Sequence, residues 1–382
     1  MKRRAFIRRA GGGAVGAALL AGCTSGDGST NGSDSNGSAT GGAGREGNTT
    51  GNTTATVGSA KTGGTLTVAT YASFTGEDTA GAWLKSAFEK RHSNATVEFQ
   101  VPENGVNQFV QRAQQGAPID ADLYVGLNTS ELVRVRRQLD SPLFRSSGTV
   151  DGTDAIKQTL DVDPRGRAIP YDTGYITLVY DGTKVDEPRS FDALTKPRYA
   201  NELITENAQQ SDPGRAFLLW TVLAKGEDGY LDYWRDLLDN GVRVLADWEP
   251  AYQAFTDGEA PMVVSYSTDQ VYYHDSKAQL RRHQVGFLDG QGYANPEAMA
   301  AFADAENPDL AREFMSFVLT DRAQSEIAVR NVQFPAVKGV SPGREFEKYA
   351  KEPPNPVTMS YDDLAGSVGG WVEDWSRLVA SS

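Results

Sequence analysis

The sequence predicts an α/β protein of two lobes, and three observations carry that prediction. From Thr65 onward, strand-like and helix-like segments alternate, as they do in sheets with helical crossovers. Beyond a polar, glycine-rich leader roughly 320 residues remain, enough for two lobes of about 150 residues, each with its own core. Finally, Tyr175–Asp181 reads as a strand long enough to carry the chain from one lobe into the other.

Thr65–Thr70 reads as a buried strand, followed by a helix in which Trp83, Leu84, Ala87 and Phe88 recur at three- and four-residue spacing. Ala95–Val101 is the next strand, the turn Pro102–Gly105 feeds a helix over 106–115, and Ala121–Gly126 is a third strand. Asn128 or Thr129 caps the helix after it. Beyond Tyr175–Asp181, Ser211–Gly214 opens a helix containing Phe217, Leu218 and Trp220. Leu231–Leu238 forms another helix, Val242–Leu245 a short strand, Glu249–Phe255 a helix and Met262–Tyr266 a strand. Helices near 310–319, 322–329 and 362–379 are expected to return to the first lobe. The expected hinges lie near 170–175 and 265–290. The lobes divide as 63–170, 171–289 and 290–382.

Sheets of this kind bind ligands beyond the carboxyl ends of their strands. That rule selects Tyr71–Phe74, Asn104–Gly105, Leu127–Thr129, Pro170–Thr173, Ser211–Asp212, Asp247–Trp248 and Tyr266–Asp269. These segments carry aromatic faces, hydroxyls and carboxylates without a lysine or histidine. They suit a planar, cationic or polar small molecule held by stacking and cation–π contact. Trp220, Trp234, Trp371 and Trp375 have helical spacing with other apolar residues and are expected in the core. Trp248, between a strand and a helix and flanked by Asp247 and Glu249, is the expected site tryptophan. Asp172 and Asp181 flank a strand, where turn capping competes with a site role.

The leader supplies an address. Arg3-Arg4-Ala5-Phe6-Ile7-Arg8 resembles a twin-arginine (Tat) export signal. Leu20-Ala21-Gly22-Cys23 resembles a lipobox, at which residues 1–22 are removed and Cys23 is acylated. The apolar run between them is too short and too rich in glycine and alanine for a spanning helix. Cys23 is the only cysteine, so an intramolecular disulfide is excluded. Residues 23–62, dominated by Gly, Ser, Thr, Asn and Asp, read as a flexible tether to the outer face of the membrane. Its Asn-x-Ser/Thr triplets at Asn31, Asn36, Asn48 and Asn52 are glycan acceptors only where the machinery exists. The formal charge is −13 for the chain and about −18 once Lys2, Arg3, Arg4, Arg8 and Arg9 are removed, which argues against nucleic acid as a partner. Arginine outnumbers lysine, and the acidic surface resembles that of proteins adapted to a salty medium.

From about Thr65 to the C-terminus the chain resembles the thiamine-binding proteins of ABC importers, within the type II periplasmic-binding-protein-like fold. The similarity is carried by Thr70–Phe74, Ala121–Leu127, Pro170–Tyr175 with Val179–Asp181, Phe217–Trp220 and Val264–Thr268. It implies a ligand cleft between the lobes and a monomer that passes thiamine, or a related cationic molecule, to a permease with a separate ATPase subunit. No cofactor is implied. The implied contacts are Asn104, Gly105, Ser211, Asp212, Trp248, Tyr266, Ser267, Thr268 and Asp269, with Tyr272 a further candidate. Tyr71 joins them from the strand-end rule, and because an unpaired charge in a closed cleft is costly, Asp172 is the carboxylate expected nearest the thiazolium. Trp248 and the tyrosines would flank the rings. Asn104, the Gly105 amide and the hydroxyls would take the hydroxyethyl end or a phosphate attached to it. Three positions depart from the pattern: Ala72 replaces an aspartate, Val332 a tryptophan and Asp212 a threonine. Asp212 is therefore expected to repel thiamine phosphates.

Two other readings compete. Tyr272 and Tyr273, followed by His274, resemble the paired tyrosinates that hold ferric iron in related proteins. The aromatic wall of Trp248 has no use around a metal ion. An enzyme is the other class, but no nucleophile elbow, P-loop, His-Glu-x-x-His or Cys-x-x-Cys occurs. Gly290-Gln291-Gly292 is too weak for a dinucleotide loop.

Overall fold

The computed structural model describes residues 63–382. The export signal, Cys23, the tether and its Asn-x-Ser/Thr triplets lie outside the described residues.

The first lobe is built from β1 (Gly64–Ala69), β2 (Ala95–Gln100) and β3 (Leu123–Leu127), with α1 (Ala80–Arg91), α2 (Val106–Gln114) and α3 (Thr129–Gln138) as crossovers. Local chemistry fixes their starts. Thr79 caps α1, and Asn128 caps α3 in a reciprocal box with Glu131. β4 (Ala168–Tyr180) then leads into the second lobe, where β5 (Leu203–Glu206), β6 (Arg243–Leu245) and β7 (Met262–Tyr266) alternate with α4 (Asp212–Lys225), α5 (Tyr230–Asp239) and α6 (Trp248–Asp257). Ser211 caps α4 and Asp247 caps α6. After β8 (Gln284–Gly286), β9 (Gln291–Ala301) crosses back, followed by α7 (Pro308–Val318) and α8 (Asp321–Asn331). Two short strands, β10 (Phe334–Pro335) and β11 (Asn355–Val357), and the last helix, α9 (Val368–Ala380), complete the chain.

The strands run in the order β2-β1-β3-β9-β4-β7-β5-β6, with β8 and β10 also on β4 and β11 on β9. β4 and β9 pair antiparallel along most of their length and belong to both lobes, so they form the crossover. Pro170–Thr173, read from sequence as a loop between strands, lies inside β4, where the register shifts between Pro170 and Asp172. β9 escapes the sequence pattern because Asn295-Pro296 reads as a turn and its alanines have low strand propensity. Pro296 is tolerated opposite Thr173, close to the irregularity.

Helices α7 and α8 pack on the first lobe through α1, as expected of the last third. The helix expected over 362–379 is broken at Gly366 into a turn at Tyr361–Ala365 and α9. The turn packs on α3, whereas α9 packs on α5 and α4 of the second lobe. The contact is aromatic: Trp375 meets Trp234 edge-to-face with centroids 5.4 Å apart, and Trp234 meets Phe217 the same way at 5.7 Å. All four tryptophans expected in the core are buried. Trp375→Ala is expected to cost about 3–5 kcal/mol by leaving a cavity under α9, measured by urea unfolding, while ligand affinity is retained.

Candidate functional site

The crossover strands form the floor of the site. Beyond the shift between Pro170 and Asp172, their register sets Asp172 opposite Glu297 and Gly174 opposite Asn295, and strand alternation turns these four positions to one face. Asp172 is fully buried. Its Oδ2 accepts from Asn331 Nδ2 at 2.8 Å, and its Oδ1 has no partner. The Tyr71 hydroxyl donates to Glu297 Oε2 at 2.8 Å and accepts from Asn331 Nδ2 at 3.1 Å. Tyr171 also donates to Glu297. Two glycines make room for rings: a Cβ on Gly126 would lie 2.6 Å from the Tyr71 ring, and one on Gly174 would lie 2.4 Å from the Tyr266 ring.

Trp248 and Tyr266 straddle the end of β7. Tyr266 lies over Gly174, while Trp248 donates from Nε1 to Ser265 Oγ, on the opposite face of β7, at 3.0 Å. Trp248 is half-buried and stacks on Tyr252 at 4.9 Å and 22°. Tyr252 is held from behind: its hydroxyl donates to Asp269, whose Oδ2 lies 2.9 Å from His283 Nδ1. Tyr273 stacks on His283 at 3.6 Å. Asp269, expected to touch ligand, is thus engaged in the support beneath Trp248. The neighbouring phenols separate, since Tyr273 packs with the Trp248–Tyr252 group and Tyr272 with Val332 and Phe346.

A third group joins the lobes. Asp212, the first residue of α4, accepts from Asn128 Nδ2 of the first lobe and from Asn295 Nδ2 of the crossover, the latter at 2.6 Å. Ser211 is buried, and its Oγ accepts from the Gly214 amide at 3.4 Å. Ser267 is buried with Oγ unpartnered; Thr268 is buried ahead of the turn at Asp269–Tyr272. Asn104 is exposed and Gly105 half-buried at the start of α2, where a φ of 52° explains the glycine. Tyr272 and Val332 line a cavity of about 460 Å³ with His274 and Phe346. Val332, at the expected tryptophan position, adopts φ 54° and ψ 46°, a costly left-handed conformation for a β-branched residue. Asp181 is a turn residue, accepting from the Thr183 amide at 3.0 Å.

Sequence reasoning missed Glu297, Asn295, Asn331, Tyr252, His283 and Glu206. Tyr171 and Asn128 fell inside the strand-end segments Pro170–Thr173 and Leu127–Thr129 but were not singled out as contacts. Glu206 ends β5, is fully buried, and has no partner for either carboxylate oxygen. Among the described residues, no cluster of three or more His, Cys, Asp or Glu suits a metal ion.

The family model for bacterial extracellular solute-binding proteins matches residues 83–354. The thiamine-binding periplasmic protein of Escherichia coli K12 is 28% identical over 316 residues, covering 82% of this chain and 93% of its own. Its Haemophilus influenzae namesake is 29% identical over 328 residues, covering 85% and 95%. A solved periplasmic thiamin binding protein superposes with a TM-score of 0.72 at 27% identity, covering 83% of this chain and 96% of its own. The apo ferric ion-binding protein A of Pasteurella haemolytica, at 13% identity, shares the fold with a TM-score of 0.68, covering 82% and 98%.

Burial dominates the electrostatics of these carboxylates. Burial, and then Glu297, pushes the Asp172 carboxyl well above its usual range; burial, and then Asp247, does the same to Glu206. Burial also raises Asp212 and Glu131, although Arg215 opposes both. A folded-state pKa raised above the unfolded value makes the native state hold a proton that the unfolded chain has lost. Stability therefore falls as pH rises from the ordinary carboxylate range through the raised value. Glu206→Gln is expected to raise the melting temperature of ligand-free protein by about 2–4 °C at pH 8 and by less at pH 5, read by scanning calorimetry.

Proposed function

Because the chain belongs to the bacterial extracellular solute-binding protein family, we propose that it is the capture subunit of an ABC importer with thiamine, or a close derivative, as its ligand. The observation that supports this reading is the buried Asp172 carboxylate, with its Oδ1 unpartnered and Glu297 beside it, together with the aromatic faces of Tyr71, Tyr266 and Trp248. A cationic heterocycle satisfies both at once: its charge offsets the buried carboxylates and its rings stack on the aromatics. The names of the thiamine-binding relatives support the choice among such cations.

In this mechanism Asp172 faces the thiazolium. Trp248, Tyr266 and Tyr272 flank the rings. Asn104, Gly105, Ser211, Ser267 and Thr268 serve the polar end, and Asp269 holds the support of Trp248. The lobes close over the ligand about β4 and β9, and the closed monomer docks on a permease whose separate ATPase subunit supplies the energy. The ligand is released unchanged, so no catalytic residue is required. Export through the paired-arginine signal, a lipid on Cys23 and the tether over 23–62 would keep the trap beside its permease at the outer face of the membrane.

The ferric-iron reading has the weaker footing. Its two adjacent phenols, Tyr272 and Tyr273, pack in different clusters, and Tyr273 is stacked on His283.

Titration of tryptophan fluorescence separates the two. Thiamine is expected to quench saturably, whereas a visible charge-transfer band with ferric citrate and no response to thiamine would favour iron. Trp248→Ala is expected to weaken thiamine by about 10–30-fold, the loss of a stacking and cation–π face. Because a cation favours the ionised form of Asp172, affinity is expected to rise with pH through the raised carboxyl range. Calorimetry in buffers of different ionisation enthalpy should detect the protons released.

A further inference from the structure

We propose that Asp212 is an interlobe clasp that holds the cleft closed and, by occupying its amide donors with the chain's own negative charge, selects the unphosphorylated ligand. The second half of this proposal rests on the thiamine reading; the first does not. The geometry is that of a carboxylate gripped from two sides. Asn128 reaches it from the first lobe and Asn295 from the crossover, while Asp212 itself rides on α4 of the second lobe. The Asn128 amide cannot turn away, because its Oδ1 is committed to the Glu131 amide at 2.9 Å and the Ser130 hydroxyl at 2.7 Å. Its NH₂ therefore points across the cleft. Hydrogen bonds to a carboxylate are stronger than neutral ones, and Asp212 also sits in the first turn of α4, where negative charge is favoured.

Arg215 of the second lobe lies close enough to Glu131 of the first to lower its carboxyl, without an ion pair between them. Arg215 is itself fixed within its lobe, donating to the Ala208 and Gln209 carbonyls at 3.1 Å each. The amide donors of Asn128 and Asn295 at this junction are thus already taken by Asp212. A phosphate brought there would have to displace Asp212 or lie against its charge.

Asn128→Ser tests the clasp, because serine still caps α3 but is too short to reach Asp212. Asp212→Asn keeps the shape, removes the charge and sets an amide NH₂ against one of its former donors. Interlobe distances are read by double electron–electron resonance between spin labels on Lys90→Cys of α1 and Asp236→Cys of α5, both exposed, in the full chain carrying Cys23→Ser. Both variants are expected to move population from the short to the long distance and to speed thiamine release about tenfold in stopped-flow fluorescence, with the double variant no faster than either. Asp212→Asn alone should also improve thiamine monophosphate relative to thiamine by about tenfold. Unchanged distances in Asn128→Ser, or effects that multiply in the double variant, overturn the clasp; an unchanged monophosphate ratio overturns the selectivity. The distances require no ligand. A wild-type chain that ignores thiamine therefore refutes the ligand reading and leaves the clasp to be decided by the distances.

Discussion

A carboxylate removed from water must be given a proton, a hydrogen-bond donor or a cation. The interior of the protein sets this demand several times and meets it differently each time. Asp163 has Arg167, Asp269 has His283 and Tyr252, and Asp212 has two asparagines. Asp172 has one asparagine and a bare oxygen, and Glu206 has nothing. The satisfied acids hold the architecture. The unsatisfied ones forgo stability, and under the proposed function a cation bound beside Asp172 would return part of it.

The support beneath Trp248 follows the same logic. A half-buried indole at a helix start would be free to change rotamer, which weakens stacking. Here its Nε1 is tied to Ser265, and its inner face rests on a ring that is itself pinned by a buried Asp–His pair. These two contacts fix the position of the indole.

Much of this was legible from sequence where a local rule sufficed. Asn128 announces a cap, Met262–Tyr266 reads as a strand to the residue, and Trp248 stands out by its place between strand and helix. What stayed hidden depends on partners distant in the chain. Glu297 and Asn295 matter because β9 pairs with β4, yet Asn295-Pro296 argues locally against a strand at all. His283 and Asp269 look unrelated until the fold stacks them, and Asn331 reaches Asp172 only across 159 positions of chain. The last helix shows the same limit: its apolar stripe is plain, but only packing reveals that Trp234 of the second lobe receives it.

The crossover deserves to be considered as a mechanical part. Two antiparallel strands laddered together through the joint make a ribbon, and a ribbon resists bending in its own plane while yielding to twist. In the proposed closure such a ribbon would confine the lobes close to a single degree of freedom and bring the same atoms together on every stroke, so that one carboxylate and one amide, carried on separate bodies, would meet repeatedly without guidance.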